Sequence, residues 1–156
     1  MSQTNISQDE LDERIAIIKR FRAILEEQRD KFREYLDALE KQHSKIEEGD
    51  AESAEIHSQL QQRIVSSIGE LQKVAEPMEA LYKRTHGSDS AIPQIQSELL
   101  SLRKKAAVQN THNQELLRAK MSGIQKEMRS FKNPYRNARS VYEKSASSAQ
   151  MIQIDI

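Results

Sequence analysis

The sequence predicts an all-α protein, an elongated antiparallel three-helix bundle or coiled coil of long helices with a flexible C-terminal tail. Apolar residues recur in alternating steps of three and four along most of the chain, which is the pattern of a heptad seam. Four glycines and three prolines among 156 residues leave few places to turn. Charged residues make up 31% and aromatic residues 4%, which suits narrow apolar stripes on long helices better than a globular core.

Helix boundaries follow from the caps and turns. Ser7 and Glu10 have the spacing of a capping box at the start of the first helix. Gly49 ends that helix, and Asp50 can cap the second. Short links favour an up-down-up bundle, although an open hairpin that dimerises would also bury the stripes. The bundle domain is expected over 1–132, with helices over about 8–47, 51–86 and 91–131.

The C-terminal segment, 133–156, has a different composition. It is rich in Ser, Ala, Asn and Gln and has few large apolar residues until its apolar C-terminus, so we expect a flexible tail. Part of this segment could form a helix on a partner, because three of its residues have helical spacing: Tyr135, Ala138 and Tyr142. Three alternating isoleucines could add an edge strand to a partner sheet: Ile152, Ile154 and Ile156.

Composition also bounds the environment of the protein. The absence of cysteine excludes disulfides and thiolate metal sites. No apolar run approaches the roughly 20 residues of a membrane helix, and the N-terminus lacks the regions of a signal peptide. We therefore expect a cytoplasmic protein without stable membrane insertion.

The two halves of the sequence carry opposite charge. Residues 1–76 have 11 basic and 17 acidic side chains, and residues 77–156 have 13 basic and 7 acidic ones. The basic residues are spread along helices without a cluster of stacking aromatics, so attraction between the halves is favoured over nucleic-acid binding.

Catalytic patterns are missing from the sequence. The four glycines are isolated and the four histidines are scattered. His43 and His57 could meet across the turn at Gly49, but no third metal ligand is evident. We therefore expect no enzyme activity, no cofactor and no metal site.

The most informative surface is the second half of the third helix. Five apolar residues form one face there: Leu117, Met121, Ile124, Met128 and Phe131. The matching layers of the neighbouring helices are more polar, because Gln42, His43, Ser53 and His57 occupy or flank them. Such a stripe must dimerise or bind a partner, unless it is ordinary core with a frayed end.

The chain resembles the FlgN-type flagellar export chaperones. The resemblance lies in the layout of the long helices and in three C-terminal stretches: Asn113-Gln114-Glu115-Leu116-Leu117, Asn133-Pro134-Tyr135 and Ile152-Gln153-Ile154-Asp155-Ile156. It implies a cytoplasmic chaperone that binds hook-associated (hook–filament junction) proteins, prevents their premature assembly and delivers them to the cytoplasmic domain of the export gate.

The resemblance also implies where the partners bind. Client binding falls on the C-terminal helix and tail: Leu117, Met121, Ile124, Met128, Phe131, Val141, Ile152, Ile154 and Ile156. Docking at the export gate falls on Tyr135, with Tyr142 as the second candidate because the tail is longer than in the shortest family members. A homodimer is possible. The alternative is a structural coiled-coil or scaffold protein that self-associates permanently.

Overall fold

The computed structural model describes residues 6–85, 87 and 89–131. It contains three α-helices, α1 (Gln8–Glu48), α2 (Ala51–Arg84) and α3 (Ala91–Ser130), and no strand within these residues. The all-α prediction and the three helices are therefore confirmed. α2 ends two residues before the predicted boundary, because the backbone N–H and the hydroxyl of Thr85 both donate to the Tyr82 carbonyl.

The expected caps are present at the helix ends. The Glu10 N–H donates to Ser7 Oγ at 3.3 Å, and the Ser53 N–H donates to Asp50 Oδ1 at 3.1 Å. This hydrogen bonding with Ser53 lowers the pKa of Asp50. Gly49 has φ of +77°, the left-handed conformation that closes a helix C-terminus.

The chain divides into two compact units, and each helix contributes to both. Unit 1 comprises Met1–Glu34 and Ile64–Lys104. Phe21 and Tyr82 stack with ring centroids 5.1 Å apart, and Gln28 Nε2 donates to Gln72 Oε1 at 3.0 Å. These pairs show that α1 and α2 are antiparallel in unit 1. The interior is mainly apolar, with these buried residues: Phe21, Ile24, Leu25, Phe32, Ile64, Ile68, Ala75, Ile92, Ile95 and Leu99.

Unit 2 comprises Tyr35–Arg63 and Lys105–Ile156. Asn113 Nδ2 donates to the Leu39 carbonyl at 2.8 Å, and Lys120 Nζ donates to the Glu47 carbonyl at 3.3 Å. The separations in sequence, 74 and 73 residues, are nearly equal, which shows that α1 and α3 run parallel in this unit. Its buried residues are mixed in character: Tyr35, Ala38, Leu39, Gln42, Ile46, Ala54, Ser58, Gln61, Ala106, Asn110 and Asn113.

Parts of the expected apolar stripes are not in the core. The first half of α2 buries Ser58 and Gln61, whereas Leu60, which the stripe placed inside, is 43% exposed. The stripe of α1 is also exposed at its start, at Leu11 and Ile15. In the described part of the chain, no helix combines the length and apolar character needed to cross a membrane.

Candidate protein-binding site

The end of α3 extends past the helices that flank it in unit 2. Lys120 contacts the Glu47 carbonyl, and α1 ends one residue later, at Glu48. α2 begins at Ala51, at the same turn, so neither neighbour continues beside the last ten residues of α3. Ten residues of helix are roughly 15 Å long. A length of α3 of about this size therefore has no described helix beside it in unit 2.

The predicted apolar face changes from half-buried to exposed along this segment. Leu117, which lies beside the end of α1, and Met121, the next residue of the face, are half-buried. Ile124 is 51% exposed, Met128 is 39% exposed and Phe131 is 74% exposed. The steps of three and four between these residues place them on one side of the helix. The structure therefore groups the five helical residues that the sequence singled out, and leaves three of them open to a partner.

The charge around this face is positive. Residues 118–131, called the α3 segment below, contain four basic side chains and one acidic side chain. Glu127 is the acidic one, and its carbonyl accepts the Ser130 hydroxyl at 2.7 Å as α3 ends. An apolar stripe bordered by lysine and arginine favours a partner whose apolar surface has an acidic border.

A buried polar cluster holds α3 in place directly before this segment. Asn113 Nδ2 donates to Gln42 Oε1 at 3.1 Å as well as to Leu39, and Gln61 Nε2 donates to the same Gln42 oxygen at 3.0 Å. Gln42 Nε2 in turn donates to Ser58 Oγ at 2.8 Å. The cluster thus joins α1, α2 and α3 four residues before Leu117. Because these bonds are directional, they fix the positions of the helices relative to one another in this unit.

The side of the cluster nearer to solvent involves His43. Its Nδ1 lies 3.0 Å from Asn113 Oδ1, and its Nε2 lies 3.3 Å from Glu47 Oε1. Since the amide oxygen only accepts, Nδ1 is the donor in that contact. The apolar spacing of α2 gives no indication that Gln61 and Ser58 belong to this cluster. The signal available was that Asn110 and Asn113 fall on stripe positions of α3, where an apolar residue would otherwise be expected.

The other predicted residues are placed as follows. His57 is half-buried, and its Nδ1 has no hydrogen-bond partner among the described residues. No group of three or more potential metal ligands is found in residues 6–85, 87 and 89–131. The tail positions lie outside the described residues: Tyr135, Val141, Tyr142, Ile152, Ile154 and Ile156.

Comparisons with known proteins give one clear relationship. No protein-family model matches the chain, and no solved structure matches it. A curated protein of Treponema pallidum (strain Nichols), described as an uncharacterized protein, is 31% identical over 158 residues, and the alignment covers 100% of both chains. The chain therefore belongs to the same family as this uncharacterized protein of Treponema pallidum.

Proposed function

We propose that this protein is a cytoplasmic export chaperone of the FlgN type. It binds hook-associated proteins, prevents their premature assembly and delivers them to the flagellar export gate. The observation that carries the proposal is the exposed apolar face of the α3 segment, formed by Ile124, Met128 and Phe131. The resemblance of the sequence to FlgN-type chaperones supplies the identity of the client.

Binding at this face is favoured because it removes apolar side chains from water. Complete transfer of a large apolar side chain from water gains roughly 1.5–3 kcal/mol, and because Ile124 and Met128 are 51% and 39% exposed, each gains about half of that when a partner covers it. Three such side chains on one face supply an anchor for a helix or hairpin of the client. Met121 and Met128 add side chains that adjust to irregular surfaces, which suits a protein that recognises more than one client.

The polar cluster supports the same function. By tying α3 to α1 and α2 at Asn113, it fixes the base from which the α3 segment extends. A client can therefore bind the segment without separating the three helices at that level. In this proposal, Tyr135, which follows the α3 segment in the sequence, docks at the export gate, and Tyr142 is the second candidate for this role.

The test of the client site is the double variant Ile124→Asp, Met128→Asp. Burying two carboxylates against an apolar client costs several kcal/mol, so we expect affinity to fall by about 100-fold or more. The matched control is Leu100→Asp, Val108→Asp, two α3 residues that are each 55% exposed. Co-purification of hook-associated proteins and circular dichroism should be measured for both. Loss of client in the control alone would place the client site elsewhere on α3.

The second test separates client binding from docking. We expect Tyr135→Ala to retain client binding while it weakens both the interaction with the cytoplasmic domain of the gate and secretion. Tyr142→Ala is the companion variant. Normal secretion with Tyr135→Ala but not with Tyr142→Ala would move the docking residue to Tyr142. If the Asp pair still binds client and neither tyrosine affects secretion, the permanent self-associating scaffold becomes the better explanation.

A further inference from the structure

The start of α1 is a second exposed apolar surface. In unit 1 the α2–α3 link lies beside Ile18: a Cβ built on Gly87 would be 2.7 Å from Ile18 Cδ1. Residues 8–17, called the α1 segment below, precede this contact. Leu11 and Ile15 are each 43% exposed, although they continue the stripe that leads through Ile18 to buried Phe21. The stripe therefore starts before the helices that cover it.

The α1 segment is strongly acidic. It contains four acidic side chains and one basic side chain, a net charge of −3: Asp9, Glu10, Asp12, Glu13 and Arg14. None of the four carboxylates forms a salt bridge with another residue that the structure describes. Two of them lie in the first turn of the helix, at Asp9 and Glu10. The segment thus presents an apolar stripe with a negative border.

The α3 segment has the complementary character. Its net charge is +3, from four basic side chains and one acidic side chain, and its apolar face is exposed at Ile124, Met128 and Phe131. The two segments have similar lengths, 10 and 14 residues. The apolar stripe of the α1 segment can therefore pack against the apolar stripe of the α3 segment, while the acidic residues of one lie beside the basic residues of the other.

The chain itself already packs α1 against α3 in the arrangement that a contact between the two segments would need. In unit 1, Arg33 pairs with Glu98 at 3.3 Å and Arg22 pairs with Asp89, just before α3, at 3.4 Å, so α1 and α3 run in the same direction there. In unit 2, Asn113 joins α3 to α1. In each unit, taken separately, α1 and α3 are parallel neighbours. A pair made of one α1 segment and one α3 segment can adopt the same parallel arrangement.

We propose that the α1 segment of one copy binds the α3 segment of a second copy of this chain. The contact joins two different surfaces, so it is heterologous, and each bound pair retains one free surface of each kind. Two exposed large apolar side chains on the α1 segment and three on the α3 segment are far fewer than the roughly 20–30 residues a side of a stable interface. Association is therefore weak, reversible and sensitive to salt. The proposal goes beyond the chaperone function, since it requires no client, but a client on the α3 segment would compete with it.

Sedimentation velocity of the full chain, without client, tests the contact. We expect the average mass to rise with protein concentration up to about 1 mM, and to rise less at about 0.5 M salt than at about 0.05 M. The α1 variant is Leu11→Asp, Ile15→Asp, and the α3 variant is Ile124→Asp, Met128→Asp. Each variant alone should remain monomeric, since each has lost one of the two surfaces.

The decisive sample is an equimolar mixture of the two variants. One intact α3 segment and one intact α1 segment remain, so the mixture should form a one-to-one species that grows no further. The control Leu100→Asp, Val108→Asp should associate like the unmodified chain. A monomeric unmodified chain at every concentration overturns the proposal. The proposal is also overturned if either variant associates by itself, or if the mixture of the two variants stays monomeric. Because no client is present, these outcomes are independent of the chaperone test.

Discussion

The interiors of the two units differ in chemistry, although the same three helices supply both. Unit 1 buries phenylalanine, leucine and isoleucine around Phe32, whose ring lies 5.4 Å from the Arg103 guanidinium. Unit 2 buries three side-chain amides in contact, those of Gln42, Gln61 and Asn113. Apolar contacts are non-directional and contribute most of the free energy of folding. Buried amides contribute less but permit fewer arrangements. The comparison indicates that unit 1 supplies stability and unit 2 supplies alignment.

The largest loss of stability is expected from a substitution in the apolar interior of unit 1. Phe32 is fully buried, and Phe32→Ala should lower the free energy of unfolding by about 3–5 kcal/mol. The matched control is Phe131→Ala, because Phe131 is 74% exposed and its loss should change stability by less than about 0.5 kcal/mol. Urea denaturation followed by circular dichroism measures both. If Phe131→Ala lowered the free energy of unfolding as much as Phe32→Ala, the end of α3 would contribute to folding. Its assignment as a free surface would then be weakened.

An intermediate effect is expected in unit 2. Asn113→Ala removes a buried donor to the Leu39 carbonyl and to Gln42 Oε1, although Gln42 Oε1 keeps its hydrogen bond from Gln61. Asn113→Ala should therefore lower the free energy of unfolding by about 1–3 kcal/mol. His112→Ala, at the exposed neighbouring position, should cost less than about 0.5 kcal/mol. Equal stability of the two variants would show that the amide cluster is not needed for the alignment of α3.

The smallest effect at neutral pH concerns Tyr35. Its side chain is fully buried, and its hydroxyl has no hydrogen-bond partner among the described residues. Tyr35→Phe should therefore leave the free energy of unfolding unchanged or raise it by up to about 1 kcal/mol.

The same residue predicts a pH dependence. Burial raises the pKa of Tyr35 to about 12, whereas an unfolded tyrosine has a pKa near 10. The stabilising contribution is complete below pH 10 and is lost as the pH rises towards 12, because only the unfolded chain then releases the proton. Relative to Tyr35→Phe, the protein should lose about 2–3 kcal/mol over this range. Parallel stability curves for the two proteins would contradict a buried hydroxyl.

The sequence was sufficient to predict the three helices and their caps. Ser7, Gly49 and Asp50 act within one turn of their own position, so their effects depend on local geometry. The exposed face of α3 was also predictable, since it required only the spacing of Leu117, Met121, Ile124, Met128 and Phe131 and the polar layers opposite.

The sequence was insufficient where the choice of buried face depends on other helices. In the first half of α2, periodicity favoured Leu60, but the structure buries Gln61 because Gln42 and the Ala38 carbonyl are placed to bond its amide. The same periodicity places the start of α1 in the seam. Leu11 and Ile15 continue the stripe without interruption, and nothing in that stripe shows where the covering helices end.

Gly123 lowers the intrinsic helix stability of the α3 segment. A Cβ at this position would have no described atom within 4 Å, so steric space does not require glycine there. In an exposed helix, glycine costs about 1 kcal/mol relative to alanine, and this stretch has no neighbouring helix in unit 2 to offset that cost. The last turns of α3, although helical in the structure, are therefore less stable against local unfolding than they would be with alanine at this position, and any partner that binds them as proposed has to supply part of that free energy.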